Sequence, residues 1–211
     1  MDARLWIIEN SNAMTKRDSK LLKAIANFER IECKEGVSRW AELSQCINFH
    51  SKMSARCWIP TKYWFVNDPP DGLPKRFGLC WGSKDDVVGE LEQVNSIMSD
   101  VCLDSKENPL GRQFRKIERY LSREAARLEE CDQYVGVVIC TQGVPTDECG
   151  NRGEDVMKAF VKNLISLSKL PVKIVFRLCT DDDQVVDFYN TLDANDQCAC
   201  DVLDDFWGEV T

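Results

Sequence analysis

Tyr134-Val135-Gly136-Val137-Val138-Ile139-Cys140-Thr141-Gln142-Gly143-Val144-Pro145-Thr146-Asp147 is the stretch on which the fold turns. The portion from Tyr134 to Cys140 is a near-continuous apolar run, the pattern of a central parallel strand covered on both faces. The portion from Thr141 onward carries Gly143 and Pro145 and reads as a loop leaving that strand. Downstream, a helix is expected over Glu154 to Ser168, and Pro171 to Cys179 repeats the buried-strand pattern. A helix from Asp183 to Leu192 and a last strand from Gln197 to Leu203 follow. Strands alternating with helices in this way imply a mainly parallel sheet with helices on both faces.

Upstream, Arg4 to Ile8 is a short apolar run that stops at Glu9-Asn10-Ser11-Asn12, a buried strand feeding a loop. Ser38 precedes Trp40, Leu43, Cys46, Ile47, Phe49, His50 and Met53, an apolar face at helical spacing behind an N-cap residue. Tyr63 to Val66 reads as a second strand and Arg76 to Trp81 as a third, and the short turn at Asn67 to Gly72 makes them antiparallel neighbours. Asp85 to Val101 is amphipathic, and Pro109 fits the first turn of another helix running to about Glu130. Met14 to Gly36 is polar and mixed, with a helical stretch at Lys20 to Glu29, and reads as an insertion between strand one and its helix. The expected architecture is a doubly wound α/β domain over residues 1–211, its sheet of about six strands mostly parallel with one antiparallel edge.

Composition narrows the function classes. Of the 211 residues 44% are hydrophobic and 29% charged, the balance of a folded chain. A net charge of −8, with no dense Lys/Arg cluster, argues against nucleic acid and anionic membrane surfaces. Neither the apolar stretch of a signal peptide nor a run of about 18 apolar residues occurs, so an intracellular, cytoplasmic protein without membrane insertion is expected. The eleven cysteines form no CxxC pair and mostly stand where a small apolar residue would, so they read as reduced core thiols. Cys198 and Cys200 are expected on one face of the last strand, as packing residues or as a regulatory disulfide.

In such sheets ligands gather at the carboxyl ends of the strands. Glu9-Asn10-Ser11-Asn12-Ala13-Met14 resembles the D-x-S-x-S-M element of von Willebrand factor A domains, and Thr141-Gln142-Gly143-Val144-Pro145-Thr146-Asp147 resembles their T-D-G-x-P-T-D element. Between them, Asn108-Pro109-Leu110-Gly111-Arg112 is similar to a T-P-L-T-R segment of the same family. The order and spacing of these elements extend the resemblance over nearly the whole chain. The resemblance implies a metal-ion-dependent adhesion site, in which one magnesium or manganese ion is held by an aspartate, two serines, a threonine and a second aspartate. A ligand carboxylate completes that shell.

The sequence departs from this pattern at most of those positions. Glu9 stands for the first aspartate, Ser11 is kept, Ala13 supplies no ligand, Asn108 offers an amide for a hydroxyl, and Gln142 is neutral where the second aspartate belongs. One carboxylate leaves much of a dication's charge uncompensated, so no cofactor is expected. A magnesium or manganese site with altered ligands is the alternative. The expected function is a metal-independent protein–protein interaction or scaffolding module, a subunit of a larger assembly and not an enzyme. Divalent-cation-dependent ligand binding of the adhesion type is the second reading.

The remaining candidates read as structural. His50 has no serine or cysteine motif at a useful spacing, so no catalytic residue is assigned. Asp181-Asp182-Asp183 sits where a strand enters a helix and suits capping. Trp58, Trp81 and Trp207 lie near element ends, either as packing or as aromatic anchors for a partner. Phe206 to Thr211 follows the last strand where the family adds a closing helix, so an apolar patch is expected there, covered by Met14 to Gly36 or by another subunit.

Overall fold

The computed structural model describes residues 4–25, 30–69, 72–101, 103–194 and 198–203, with the backbone alone at 22–25 and 30–32. The first half of the chain runs β1 (Arg4–Ile8), β2 (Ser19–Ile25), β3 (Arg30–Val37), α1 (Arg39–Cys57), β4 (Thr61–Phe65), β5 (Arg76–Leu79) and α2 (Val87–Asp100). The second half runs α3 (Leu110–Leu121), α4 (Ala125–Glu130), β6 (Val135–Thr141), α5 (Glu154–Ser168), β7 (Val172–Leu178), α6 (Asp183–Asp193) and β8 (Cys200–Leu203). A six-stranded sheet forms in the order β5-β4-β1-β6-β7-β8, all parallel except β5, which closes one edge antiparallel to β4. This is the architecture that the alternation of apolar runs and amphipathic stretches predicts.

Successive side chains of a strand point to opposite faces, which divides the core in two. Leu5, Ile7, Val137, Ile139, Ile174 and Phe176 face α3, α5 and α6, where Phe176 lies 4.8 Å from Tyr189 and Phe114 lies 5.1 Å from Phe160. Trp6, Ile8, Tyr63, Phe65 and Cys140 face α1 and α2, against Leu43, Ile47, Val94 and Ile97. β1 and β6 lie at the centre of the sheet and are buried from both sides, so both read as unbroken apolar runs in the sequence.

Helix boundaries follow local chemistry. Ser38 caps α1, its hydroxyl accepting from the Ala41 amide at 3.1 Å, and Trp58 ends it in the left-handed region at φ 53°. Asp182 caps α6 by accepting from the Gln184 amide at 3.0 Å, as expected for the acidic run.

Three expectations need correction. The stretch expected to be helical at Lys20 to Glu29 is instead strand β2 over Ser19–Ile25, paired antiparallel with β3, while residues 26–29 lie outside the described residues. Its register sets Lys20 opposite Glu35, an ion pair at 3.7 Å, and pairing with the neighbouring strand overrides the helix-forming composition. The helix from Pro109 to about Glu130 breaks into α3 and α4 at residues 122–124, where the Glu124 amide donates to the Leu121 carbonyl at 2.9 Å in a tighter turn. The last strand begins at Cys200, so Cys198 precedes it, though both thiols are buried in the same core cluster.

The β2–β3 hairpin packs against α1. Tyr134, next to β6, and Leu203, at the end of β8, are 44% and 39% exposed, while Phe206 to Thr211, where the sequence predicts an apolar patch, lies outside the described residues.

The described cysteines are all free thiols. Burial pushes the Cys200 thiol up to about 12 and raises those of Cys140 and Cys179 as well, so they stay protonated and inert. Cys33, Cys57, Cys131 and Cys149 are exposed. Brief maleimide treatment of the native protein is therefore expected to label those four and spare Cys80, Cys140, Cys179, Cys198 and Cys200, read by peptide mass spectrometry. Labelling of the buried set at the same rate would contradict this packing.

Candidate functional site

The site is built where β1 and β6 run side by side. Their register pairs Ile8 with Cys140, and the Glu9 amide donates to the Cys140 carbonyl at 3.0 Å, so Glu9 comes to lie against Thr141 and Gln142. Glu9 is fully buried. Its carboxylate accepts four hydrogen bonds: from the Ser11 hydroxyl at 2.6 Å, the Thr141 hydroxyl at 2.6 Å, and the Gln142 amide and side-chain Nε2 at 3.0 Å each. A carboxylate offers about four lone-pair positions, so this one is filled by the protein's own donors.

The network continues outward through Gln142. Its Oε1 accepts from Arg39 Nη1 at 2.7 Å, and Arg39 grips Asp18 in bidentate fashion, Nε to Oδ1 at 2.8 Å and Nη2 to Oδ2 at 2.6 Å. Lys16 adds a second cation at 2.8 Å from Asp18. The hairpin thus supplies a charge to the loops: Asp18 leads into β2, and Arg39 opens α1 immediately after β3.

Asn108 approaches from the third loop. Its amide nitrogen donates to Thr141 Oγ1 at 3.0 Å and to the Gly143 carbonyl at 3.3 Å, and its backbone amide donates to Thr146 Oγ1 at 2.8 Å. Its Oδ1 is buried with no hydrogen-bond partner among the described residues. Tyr189 braces the same loop by donating to the Gly143 carbonyl at 3.1 Å.

Of the residues singled out in the sequence, Glu9, Ser11, Asn108 and Gln142 therefore belong to one connected cluster. Ala13 lies in the short turn Asn12–Thr15 and brings only a methyl group. Asp147, the last residue of the T-x-G-x-P-T-D-like segment, folds back on its own loop, its carboxylate accepting from the Cys149 and Asn151 amides at 2.8 Å.

Sequence reasoning missed Thr141, Arg39 and Asp18. Arg39 carried a signal: it stands in the first turn of α1, where a positive charge opposes the helix dipole unless it is paired. Its pairing partner, 21 positions earlier, had no such mark.

Arg39 holds the Asp18 carboxyl down to about 2 from an ordinary 3.8, outweighing the burial that works the other way. Burial also opposes the charge of Arg39, but Asp18 more than offsets it and raises the guanidinium pKa. A depressed carboxylate stabilises the fold above its unfolded pKa and loses that contribution as pH falls toward the folded value. The gap in melting temperature between the wild type and Asp18→Asn is thus expected to be constant from about pH 7 to 5 and to shrink from about pH 4 toward 2. A gap that widens with acid would contradict the pairing.

His50 lies tilted by 47° against Trp6 with ring centroids 5.1 Å apart and meets Phe49 edge-on at 5.4 Å. Burial lowers its pKa, and the neutral ring packs as an aromatic.

No family model matches the sequence, and no curated protein matches it. Among solved structures, the chain is similar to the crystal structure of the SpRpn10 VWA domain, with a TM-score of 0.52 and 14% sequence identity over 96% of this chain and 87% of that one. The chain has a von Willebrand factor A fold. Its six-stranded sheet with one antiparallel edge agrees with that fold, and the Glu9 cluster lies at the carboxyl ends of β1 and β6. No described helix is long and apolar enough to cross a membrane.

Proposed function

We propose that this chain is a protein-interaction module of the von Willebrand factor A type that works without a divalent cation, as a subunit of a larger intracellular assembly and not as an enzyme. The observation that carries the reading is the Glu9 carboxylate, whose four acceptor positions are taken by Ser11, Thr141 and Gln142. A magnesium or manganese ion wants about six oxygens with anionic charge among them. The cluster offers one carboxylate already saturated, an alanine methyl, and an asparagine whose nitrogen points inward. Gln142 directs its one oxygen at the Arg39 guanidinium, a cation held where the fold otherwise brings a second carboxylate toward a metal. The donor set suits a self-contained network better than it suits a dication.

The loop rim supports recognition of a protein over capture of a small molecule. Its cleft measures about 250 Å³, between Lys16, Arg39, Gln142, Arg152 and Asp182, below the roughly 300–1,000 Å³ of ordinary ligand pockets. The free thiols fit a reducing compartment.

One observation favours the second reading, an altered cation site: the buried Asn108 Oδ1 has no partner among the described residues. The two readings separate in one experiment. Tagged protein captured from its own cells is expected to retain the same partners, by mass spectrometry, in buffer with EDTA and in buffer with magnesium. Partners that elute with EDTA and return with magnesium would establish the cation-dependent reading instead.

A further inference from the structure

At the opposite end of the sheet from the Glu9 cluster lies a second cleft of about 340 Å³, where β1, β4 and β6 begin and α3 gives way to α4. Its floor is apolar, formed by Leu5, Leu121, Leu128 and Val135, all buried. Arg4, Lys62, Arg123 and Arg127 line it together with Trp81 and Tyr120, and Glu124 is the one acidic residue among them. In a chain of net charge −8 this is a local reversal of sign.

Trp81 is the best-anchored part of the cleft. It is 46% exposed, yet its indole N–H donates to the Thr61 carbonyl at 3.2 Å and the Lys62 ammonium lies 3.7 Å from its ring centroid. Cys80, the residue before it, is held at φ 62° in the left-handed region, its amide donating to Glu90 Oε2 at 2.6 Å. Gly78 keeps the ring in place from below: a Cβ there would sit 2.5 Å from the Thr61 carbonyl oxygen and 3.4 Å from the Trp81 ring. A non-glycine residue held in that backbone region is strained, and the residue that follows it here is a tryptophan presented to solvent. Trp, Tyr and Arg are the residues that dominate binding energy at protein interfaces.

The charges select the partner. Lys62 is joined to the Tyr120 hydroxyl and Arg127 to Glu124 at 3.0 Å, so positive charge is distributed along the rim and does not converge on one point. Separate cations around an apolar floor match separate carboxylates flanking an apolar side chain, and not a single phosphate. A nucleic-acid strand would meet the repulsion of the whole chain.

We propose that this cleft docks a short acidic segment of a partner protein, one apolar side chain lying on the floor beside Trp81 and flanking Asp or Glu carboxylates meeting the rim cations. The proposal rests on the reading of the chain as a protein-interaction module, but it uses a different end of the sheet.

The test is a selection of displayed random dodecapeptides on the wild-type chain, with fluorescein-labelled copies of the recovered peptides then titrated by anisotropy. The recovered sequences are expected to be net acidic with an apolar residue among the acids. Their affinity should fall roughly tenfold or more in Arg123→Glu/Arg127→Glu and in Trp81→Ala, and should weaken as salt rises from ~50 to ~500 mM. Arg123 and Arg127 are exposed, so the double variant keeps its fold, which circular dichroism checks. Arg152→Glu, at the loop end, is expected to bind as the wild type does. Recovery of neutral or basic peptides, recovery of none, or acidic peptides indifferent to the Arg123, Arg127 and Trp81 changes would overturn the proposal. Loss of binding in Arg152→Glu alone would move the acidic-segment site to the loop rim. None of these outcomes touches the reading of the Glu9 cluster, which EDTA sensitivity decides.

Discussion

Replacing Glu9 with leucine is expected to cost about 3–5 kcal/mol of stability, although the change removes a fully buried charge. Two effects compete. Taking a carboxylate out of an apolar interior is favourable, since its desolvation is never fully recovered. Against this, leucine leaves the Ser11 hydroxyl, the Thr141 hydroxyl and two N–H groups of Gln142 without an acceptor. The Ser11 and Thr141 hydroxyls are buried, and each buried donor left unmade costs roughly 1–3 kcal/mol; Thr141 has a nearby alternative in the Gly143 carbonyl at 3.2 Å, and the part-buried Gln142 donors lose less because water reaches them. The orphaned donors win. In a chain of this size the loss corresponds to a fall of roughly 8–15 °C in melting temperature. Glu9→Gln, which keeps one acceptor oxygen but turns an NH₂ toward donors, should fall between. A Glu9→Leu cost below about 1 kcal/mol in denaturant titration would mean that the four-fold acceptor network does not hold in solution.

The second large effect is a gain of function. Changing Glu9→Asp, Ala13→Ser, Asn108→Thr and Gln142→Asp restores, with Ser11, the ligand set that the resemblance implies. The structure adds a condition that the sequence alone does not reveal. Arg39 donates to residue 142, so an aspartate there would be neutralised by the guanidinium before any cation arrived. The four changes alone are therefore expected to bind metal poorly, and adding Arg39→Gln should open the site. Magnesium at about 100 times its dissociation constant would then stabilise the five-fold variant by about 2.7 kcal/mol. Equal stabilisation with and without the Arg39 change would remove Arg39 from the account.

Legibility in the sequence followed burial. β1 and β6, covered on both faces, and α5 with its amphipathic pattern over Glu154–Ser168, announce themselves in apolar runs and periodicity. The β2–β3 hairpin does not, because Lys20-Leu21-Leu22-Lys23-Ala24 is built of helix formers and only the partner strand, remote from it in the local window, decides its state. The same limit applies to the site. Glu9, Ser11, Asn108 and Gln142 are marked by their likeness to the family's loop motifs, Asn108 ahead of a helix and the others after strands, and the register of β1 on β6 joins the first two to the last. Asp18 enters just ahead of the misread β2, and Arg39 opens a helix that reads correctly, but a contact between residues 21 positions apart leaves no periodic mark in the sequence.

The Asn108 amide is a further case. As a substitute for a hydroxyl it could present either atom to the centre, and composition does not choose. The fold turns the nitrogen to Thr141 and Gly143, which leaves the oxygen without a partner among the described residues.

The central claim is that the Glu9 cluster is complete without metal, and melting temperature against magnesium and manganese concentration tests it most directly. A ligand raises the melting temperature only if it prefers the native state. For the unmodified chain, titration of either ion to millimolar levels is predicted to leave the melting temperature unchanged, in the wild type and in Ser11→Ala alike. A saturable rise in the wild type that Ser11→Ala abolishes would show a cation held by altered ligands, and would contradict the account.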